Sequence, residues 1–286
     1  SITCPVGADI AFWNTINPTN RQSCTTSKSH TLTAWDGTKT VYMRWRVWST
    51  TSANLTKTIL LDTTAPTGWS FTINFDDAAT NITGVNLGTV CATDGSGVGW
   101  VQVAYGTGTT PTNWTSCIGN VAIGFTLTPP DGTKTLYIRF RDSLWNTSSA
   151  ISDAILLDQT APTGASMSAE PTYTSGLTNT VTRTNASDGA GVWWITYQFC
   201  RNTTNTTASW CVLSSWTWAS SITHTWLVDG QIYYYFVRAR DSLTNTSTWS
   251  ASTNSTQDNT APTGWSFTIN NGAIGTNSTS VTLNTV

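Results

Sequence analysis

The chain has 286 residues, a formal net charge of -2 and only 10% charged residues. That length suits two or three ordinary domains, each with its own core. Thirteen basic residues with no basic stripe cannot neutralise a run of phosphates, so no nucleic-acid partner is expected. No apolar run reaches the roughly 18–20 residues needed to span a bilayer, so no membrane span is expected either. Sixteen Trp, abundant Thr, Ser and Asn, and the lack of stretches with helical period favour strands over helices.

Two markers recur along the chain. TAPTG occupies Thr64–Gly68, Thr160–Gly164 and Thr260–Gly264, with Asp62, Asp158 and Asp258 two residues before. DGTKTVYMRWR begins at Asp36, DGTKTLYIRFR at Asp131 and DGQIYYYFVRAR at Asp229. Both markers share a period of nearly 100 residues, the size of one immunoglobulin-like sandwich per repeat. The expected fold is therefore all-β, a series of tandem immunoglobulin-like sandwiches with about seven strands each.

In chain order, the strand after the first DG turn alternates: Val41, Met43 and Trp45 oppose Tyr42, Arg44 and Arg46. The second repeat predicts strands at Gly68–Asn74, Gly84–Val90, Val98–Tyr105, near Trp114–Cys117, Gly124–Thr128, Lys134–Asp142 and Ile151–Leu157. Within it Leu136, Ile138 and Phe140 oppose Tyr137, Arg139 and Arg141, and in the third repeat Tyr235, Val237 and Ala239 oppose Phe236, Arg238 and Arg240. Period two with one apolar face is the pattern of a sandwich strand, and it puts the Arg pairs on the outer face.

The second repeat reads DGT, then Tyr137, Arg139, Arg141, Asp142, then Asn146, Thr147, Ser148, then Asp158, Thr160, Ala161 and Pro162. The third matches through Arg238, Arg240, Asp241 and Asn245; the first departs, with Val47 where the Asp should stand. This pattern resembles the tandem immunoglobulin-like or fibronectin-III-like repeats of large microbial cell-surface proteins, along the whole chain. The resemblance implies the sandwich fold and an extracellular, cell-surface setting. Such repeats serve as stalks, adhesin shafts and filaments, so the fold does not choose among them.

Cys4 and Cys91 each lie nine residues before a Trp (Trp13, Trp100), and Cys24 and Cys117 follow in the same repeats; Cys200 and Cys211 fall in the third. One pair per repeat, with no C-x-x-C spacing, favours the disulfides Cys4–Cys24, Cys91–Cys117 and Cys200–Cys211 over free thiols or a metal site. Trp13, Trp100 and Trp194 align, as do Trp69 with Trp265 and Trp48 with Trp145. Core or sheet-edge packing is the expected role, with a row of sugar-stacking platforms as the alternative. His30 and His224 precede DG turns at a place where the second repeat has Phe125, which marks a packing position and not a catalytic one.

Asp94 and Asp188 sit in DGSG and DGAG, the composition of tight turns. The competing role is a calcium ligand together with Asp62, Asp158 or Asp258 at domain joints, but the carboxylates look sparse for an ion that wants six to eight oxygens. Neither a metal nor another cofactor is expected. No nucleophile–base–acid set recurs, so the chain is expected not to be an enzyme. Sequons stand at Asn54, Asn81, Asn113, Asn146, Asn185, Asn202, Asn205, Asn245, Asn254 and Asn277, with Asn146 and Asn245 at matching positions. They suit a glycosylated surface that shields strand edges.

Thr260–Val286 aligns without gaps to Thr64–Val90, with 18 of 27 positions identical, so Val286 corresponds to Val90 and Cys4 to Cys91. The expected organisation is a domain lacking its first two strands (1–62), two complete repeats (63–158 and 159–258), and the first two strands of a further repeat (259–286). The expectation is head-to-tail assembly with other copies of the chain, in which Trp265, Phe267, Ile269, Val281 and Leu283 of one copy fill the incomplete domain of the next. A single longer polypeptide containing this chain as one period would use the same packing. Two other functions stay open. One is the stalk or carbohydrate-binding region of an adhesin, with surface glycans as partners. The other is a non-catalytic region of a secreted enzyme.

Overall fold

A computed structural model describes residues 3–95, 99–117, 121–189, 194–206 and 210–285. The described residues form strands and loops, with one 3-10 turn at Asn270–Gly272, and no helix is long and apolar enough to cross a membrane. The chain divides into two compact units, Ser1–Asp158 and Gln159–Val286.

The first unit opens with β1 (Ala8–Trp13), β2 (Arg21–Ser23), β3 (Gly37–Val47), β4 (Thr50–Thr51) and β5 (Leu55–Leu61). They form one antiparallel sheet in the order β2-β1-β3, with both β4 and β5 pairing β3. There follow β6 (Ser70–Ile73), β7 (Ala79–Thr80), β8 (Gly84–Val90), β9 (Val101–Gly106), β10 (Trp114–Ser116), β11 (Val121–Thr126), β12 (Gly132–Asp142) and β13 (Ile151–Leu157). These make two sheets, β6-β8-β11 and β10-β9-β12-β13-β7, in the immunoglobulin-like arrangement. Phe71, Ile73, Val85 and Leu87 from the first sheet meet Val103, Leu136, Ile138, Phe140, Ile155 and Leu157 from the second. Trp69 tilts over Phe140 at 5.5 Å between ring centroids. The alternation read from residues 134–142 is therefore the core face of β12. The sequence reading missed β7, a two-residue strand that pairs parallel with β13. It also started β11 three residues late, and the Val98 start it gave the strand that is β9 lies outside the described residues.

The second unit repeats this plan with β14 (Tyr173–Ser175), β15 (Asn179–Thr182), β16 (Ile195–Asn202), β17 (Val212–Leu213), β18 (Ser221–His224), β19 (Ile232–Asp241) and β20 (Thr253–Asp258). One sheet runs β14-β20-β19-β16-β17 and the other is β15-β18. Its core gathers Val181, Tyr197, Phe199, Tyr233, Tyr235, Val237 and Ala239. Phe236, expected on the outer face with the two arginines, is buried as well. Two further strands, β21 (Phe267–Ile269) and β22 (Leu283–Thr285), form a two-stranded sheet among the described residues.

The two sequence markers meet in space. Asp36 of the first DG turn accepts the Thr63 N–H at 2.9 Å and the Thr63 hydroxyl at 2.8 Å, and its other oxygen accepts from the Thr64 hydroxyl. Asp229 of the third does the same with the Asn259 N–H at 2.6 Å and the Thr260 hydroxyl at 2.5 Å. Those bonds, the Asn259 amide first, hold the Asp229 carboxyl below its usual pKa. The first and third DG turns thus clamp the linker that opens the following TAPTG.

β20 departs from β13 in chemistry. Ser255 and Gln257, both fully buried, stand where the second repeat has Ile155 and Leu157. Ser255 shares a 2.5 Å hydrogen bond with Thr174, but both polar atoms of the Gln257 side chain are buried without a partner. An unmet buried amide costs about 1–3 kcal/mol. Gln257→Leu, which copies the second repeat, should therefore raise the stability of the second unit by about 1–3 kcal/mol. Urea unfolding of wild type and variant side by side would measure it, and an unchanged or lower midpoint would show that the amide is satisfied.

Candidate functional site

Among the described residues, 8–61 form one sheet of a sandwich. In the second repeat, β11 pairs β8 along Val121–Thr126, and β8 pairs β6. Among the described residues no counterpart of β6 or β8 pairs with the strands of residues 8–61, and residues 26–31, which correspond to β11, form no strand. A strand needs a partner for its backbone groups, so the missing β8 explains the missing β11. The core face is correspondingly open. Val41, Met43 and Trp45 are half-buried, whereas their counterparts Leu136, Ile138 and Phe140 are fully buried. Ile59 is 55% exposed; its counterpart Ile155 is 1% exposed.

The complementary piece lies at residues 265–285. β21 pairs β22 through Phe267↔Thr285, Thr268↔Asn284 and Ile269↔Leu283. β6 pairs β8 through Phe71↔Thr89, Thr72↔Gly88 and Ile73↔Leu87. Corresponding residues are in the same register, so the hairpin is already shaped as the first two strands of a sandwich. Its apolar side is uncovered: Trp265 is 75% exposed, Phe267 56% and Leu283 62%, with Ile269 and Val281 also exposed. Phe71, Ile73, Val85 and Leu87 at the matching positions are buried. The five residues singled out from the sequence thus form one uncovered apolar set.

Three disulfides hold the repeats: Cys4–Cys24, Cys91–Cys117 and Cys200–Cys211, with Cα atoms 5.7, 5.7 and 5.6 Å apart. Each adds about 2–4 kcal/mol to its repeat. Outside the cores, arginines and tryptophans interleave. Arg141 lies over Trp114 and Trp145, at 4.3 and 4.0 Å from the ring centroids. Arg238 lies near Trp216 and Trp249, and Arg240 over Trp216. Of the core or sheet-edge packing expected for the recurring tryptophans, Trp145 takes the role outside the core, its ring stacked on Arg141. Trp145 and its counterpart Trp48 occupy left-handed backbone positions (φ 75° and 57°) and are exposed, as is Trp100.

At the joint between the first two repeats, Asp142 is fully buried and organises the turn after β12. Its Oδ1 accepts the N–H groups of Leu144 at 2.7 Å and Asn146 at 3.0 Å, and its Oδ2 accepts the Asn146 side-chain amide at 2.9 Å. The same amide donates to the Asp62 carbonyl at 3.0 Å and so ties the linker to the turn. Asp241, Leu243 and Asn245 repeat this turn in the third repeat. Asp62 and Asp94 were candidate ligands from the sequence. The fold brings both together with Asp142, whose role the sequence reading missed although the second and third repeats share this Asp and the first has Val47. Asp258 accepts the Thr260 N–H, as Asp62 accepts the Thr64 N–H.

The sequons divide by environment. Asn113, Asn185, Asn205, Asn254 and Asn277 are exposed, Asn54, Asn81, Asn146 and Asn245 are half-buried, and Asn202 is buried. Both amide hydrogens of Asn146 are engaged at the joint. His30 bonds Asn14 at 2.9 Å, and His224 stacks on Tyr235 with its Nε2 buried and unpartnered.

No family model matches the sequence, and no curated protein matches it. Solved structures are similar in fold. The fibronectin(III)-like modules of Clostridium thermocellum CbhA are 18% identical, covering 66% of this chain and 95% of that one, with a TM-score of 0.37. Fibronectin domains of chicken CNTN1 are 13% identical, covering 76% and 75%, with a TM-score of 0.35. A titin segment is 12% identical, covering 77% and 75%, with a TM-score of 0.43.

Two outcomes follow from these environments. A glycan replaces one hydrogen of the Asn amide, so glycopeptide mapping of native material should find sugar on Asn113 or Asn254 and none on Asn146 or Asn202; the reverse pattern would mean the joint opens before modification. Burial lowers the His224 pKa from 6.5 to about 4. A base with a depressed folded pKa contributes fully above its unfolded pKa and loses that contribution as pH falls toward the folded value. Stability of the second unit should drop by up to about 3 kcal/mol between pH 6.5 and 4. His224→Phe, the residue type of the second repeat, should flatten that slope in chemical denaturation, and an equal slope in the variant would assign the acid sensitivity elsewhere.

Proposed function

We propose that the chain is a structural subunit of an extracellular filament, in a mechanical and non-catalytic role. β21 and β22 of one copy complete the open sandwich of residues 8–61 in the next. In that joint β22 pairs with residues 26–31, which become the missing strand, and Trp265, Phe267, Ile269, Val281 and Leu283 cover Val41, Met43, Trp45 and Ile59. The observation that carries the reading is the shared register of the β21–β22 and β6–β8 hairpins, set against a sheet that lacks just that pair. Burying each large apolar side chain is worth roughly 1.5–3 kcal/mol, so five together can hold a joint without a covalent link. The two surfaces differ and lie in different parts of the chain. Such contacts add subunits in one direction and build an open fibre when they do not close into a ring. Three disulfides fit an oxidising environment outside the cytosol.

Electron microscopy and light scattering on residues 1–286 should show thin, beaded fibres or growing oligomers. Deleting residues 263–286 should leave soluble protein that does not polymerise and whose first repeat exchanges amide hydrogens rapidly. A synthetic peptide of residues 259–286 should cap the open sandwich, stop growth and slow that exchange. A chain that stays monomeric at high concentration, or one that polymerises equally well after the deletion, would sink strand exchange and leave a multi-domain stalk.

A further inference from the structure

A second feature of the first unit stands apart from the assembly surfaces. Asp62 lies on the linker after β5, Asp94 on the loop after β8, and Asp142 at the end of β12. Each offers a carboxylate oxygen within 4.8 Å of the other two. Asp142 is held by three hydrogen bonds from its own turn. Asp62 is only 8% exposed; its Oδ1 accepts the Thr64 N–H at 3.1 Å, but its Oδ2 is buried with no hydrogen-bond partner. Among the described residues the ion pair Arg46–Asp9 lies on β1 and β3, and no ion pair reaches Asp62 or Asp142. A buried carboxylate oxygen without a donor, beside two further carboxylates, is unfavourable unless a cation balances it.

We propose that Asp62, Asp94 and Asp142 bind a calcium ion where the linker meets the second sandwich. The donors are oxygen only, which disfavours zinc and copper. They come from a linker, a loop and a strand end, with no fixed helical spacing. Calcium accepts such irregular sets of six to eight oxygens, completed by backbone carbonyls and water. Magnesium demands a tighter octahedron and gives up its water reluctantly. The ion would join the linker to two elements of the next sandwich, and so set the joint that Asn146 already supports by its bond to the Asp62 carbonyl. The first repeat has Gly7 and Val47 at the positions of Asp94 and Asp142, so a sandwich completed there by another copy would lack this site. Calcium would then stiffen a joint inside the chain without gating assembly.

Calcium titration of residues 1–286, followed by equilibrium dialysis and by thermal unfolding, tests this. Half-saturation is expected at about 0.1–1 mM, the range of extracellular calcium modules. Binding should raise the unfolding temperature, and magnesium at the same concentration should not replace it. Asp62→Asn combined with Asp94→Asn leaves the Asp142 turn intact; it should keep the wild-type circular dichroism and remove one bound calcium per chain. Equal calcium uptake by wild type and double variant would overturn the site, and so would equal displacement by magnesium. Fibre formation by the double variant without calcium keeps this outcome separate from the test of strand exchange.

Discussion

A β-sandwich core closes only when both sheets are present, and in this chain the smaller sheet is the deciding one. In the second repeat, β6 and β8 supply Phe71, Ile73, Val85 and Leu87 to the core, and β8 is the partner of β11. Take that pair away and two things fail together: the apolar face of the larger sheet opens, and the third strand of the smaller sheet loses its ladder. The first repeat shows both effects, at Ile59 and at residues 26–31. The β21–β22 hairpin shows the converse, a correctly paired hairpin whose apolar side chains are exposed. Pairing within a hairpin is local and survives alone in outline, whereas burial needs the opposite sheet.

The linkers are ordered by a few short polar side chains. Asp36 and Asp229 each grip the two residues that precede an Ala-Pro pair, and Asp142 with Asn146 grips the Asp62 carbonyl from the other side. Asn and Asp are suited to this because their short side chains hold hydrogen-bonding groups close to the backbone, and here they bridge residues 27, 30 and 84 positions apart in the chain. The recurrence of DG turns and TAPTG at one period is thus two halves of a single contact. It explains why a chain with so few charges keeps Asp at these places.

Much of this was legible in the sequence. The strand alternation at residues 134–142 and 41–46 identified the core faces, because a period of two with one apolar side has few other meanings. The gapless match of residues 64–90 with 260–286 placed the hairpin, since two strands of equal sequence adopt equal register. The tryptophans were harder. Trp48 and Trp145 sit at left-handed turn positions, which hydrophobicity does not reveal, and Trp145 stacks on Arg141 outside the core. β7 is too short to carry any period. Asp142 escaped notice as a neighbour of Asp62 and Asp94 because the three are far apart in the chain. The one signal was its recurrence as Asp241 and its loss at Val47. Burial of Gln257 was likewise invisible, since a polar residue on a strand reads as outward-facing.

The parallel pairings β7–β13 and β14–β20 are small, two and three residues long, yet they join the entry of each complete repeat to its exit. When the two ends of a repeat are drawn apart along the chain, a parallel pair is loaded in shear. All its hydrogen bonds must then stretch at once, whereas an antiparallel hairpin pulled at its open end yields bond by bond. Beyond that clasp, the disulfides close loops of only 20, 26 and 11 residues, so most of each repeat could still pay out. Resistance to pulling therefore resides in a handful of backbone bonds at the edges of the larger sheets, and a repeat that gives way would lengthen greatly without parting the chain.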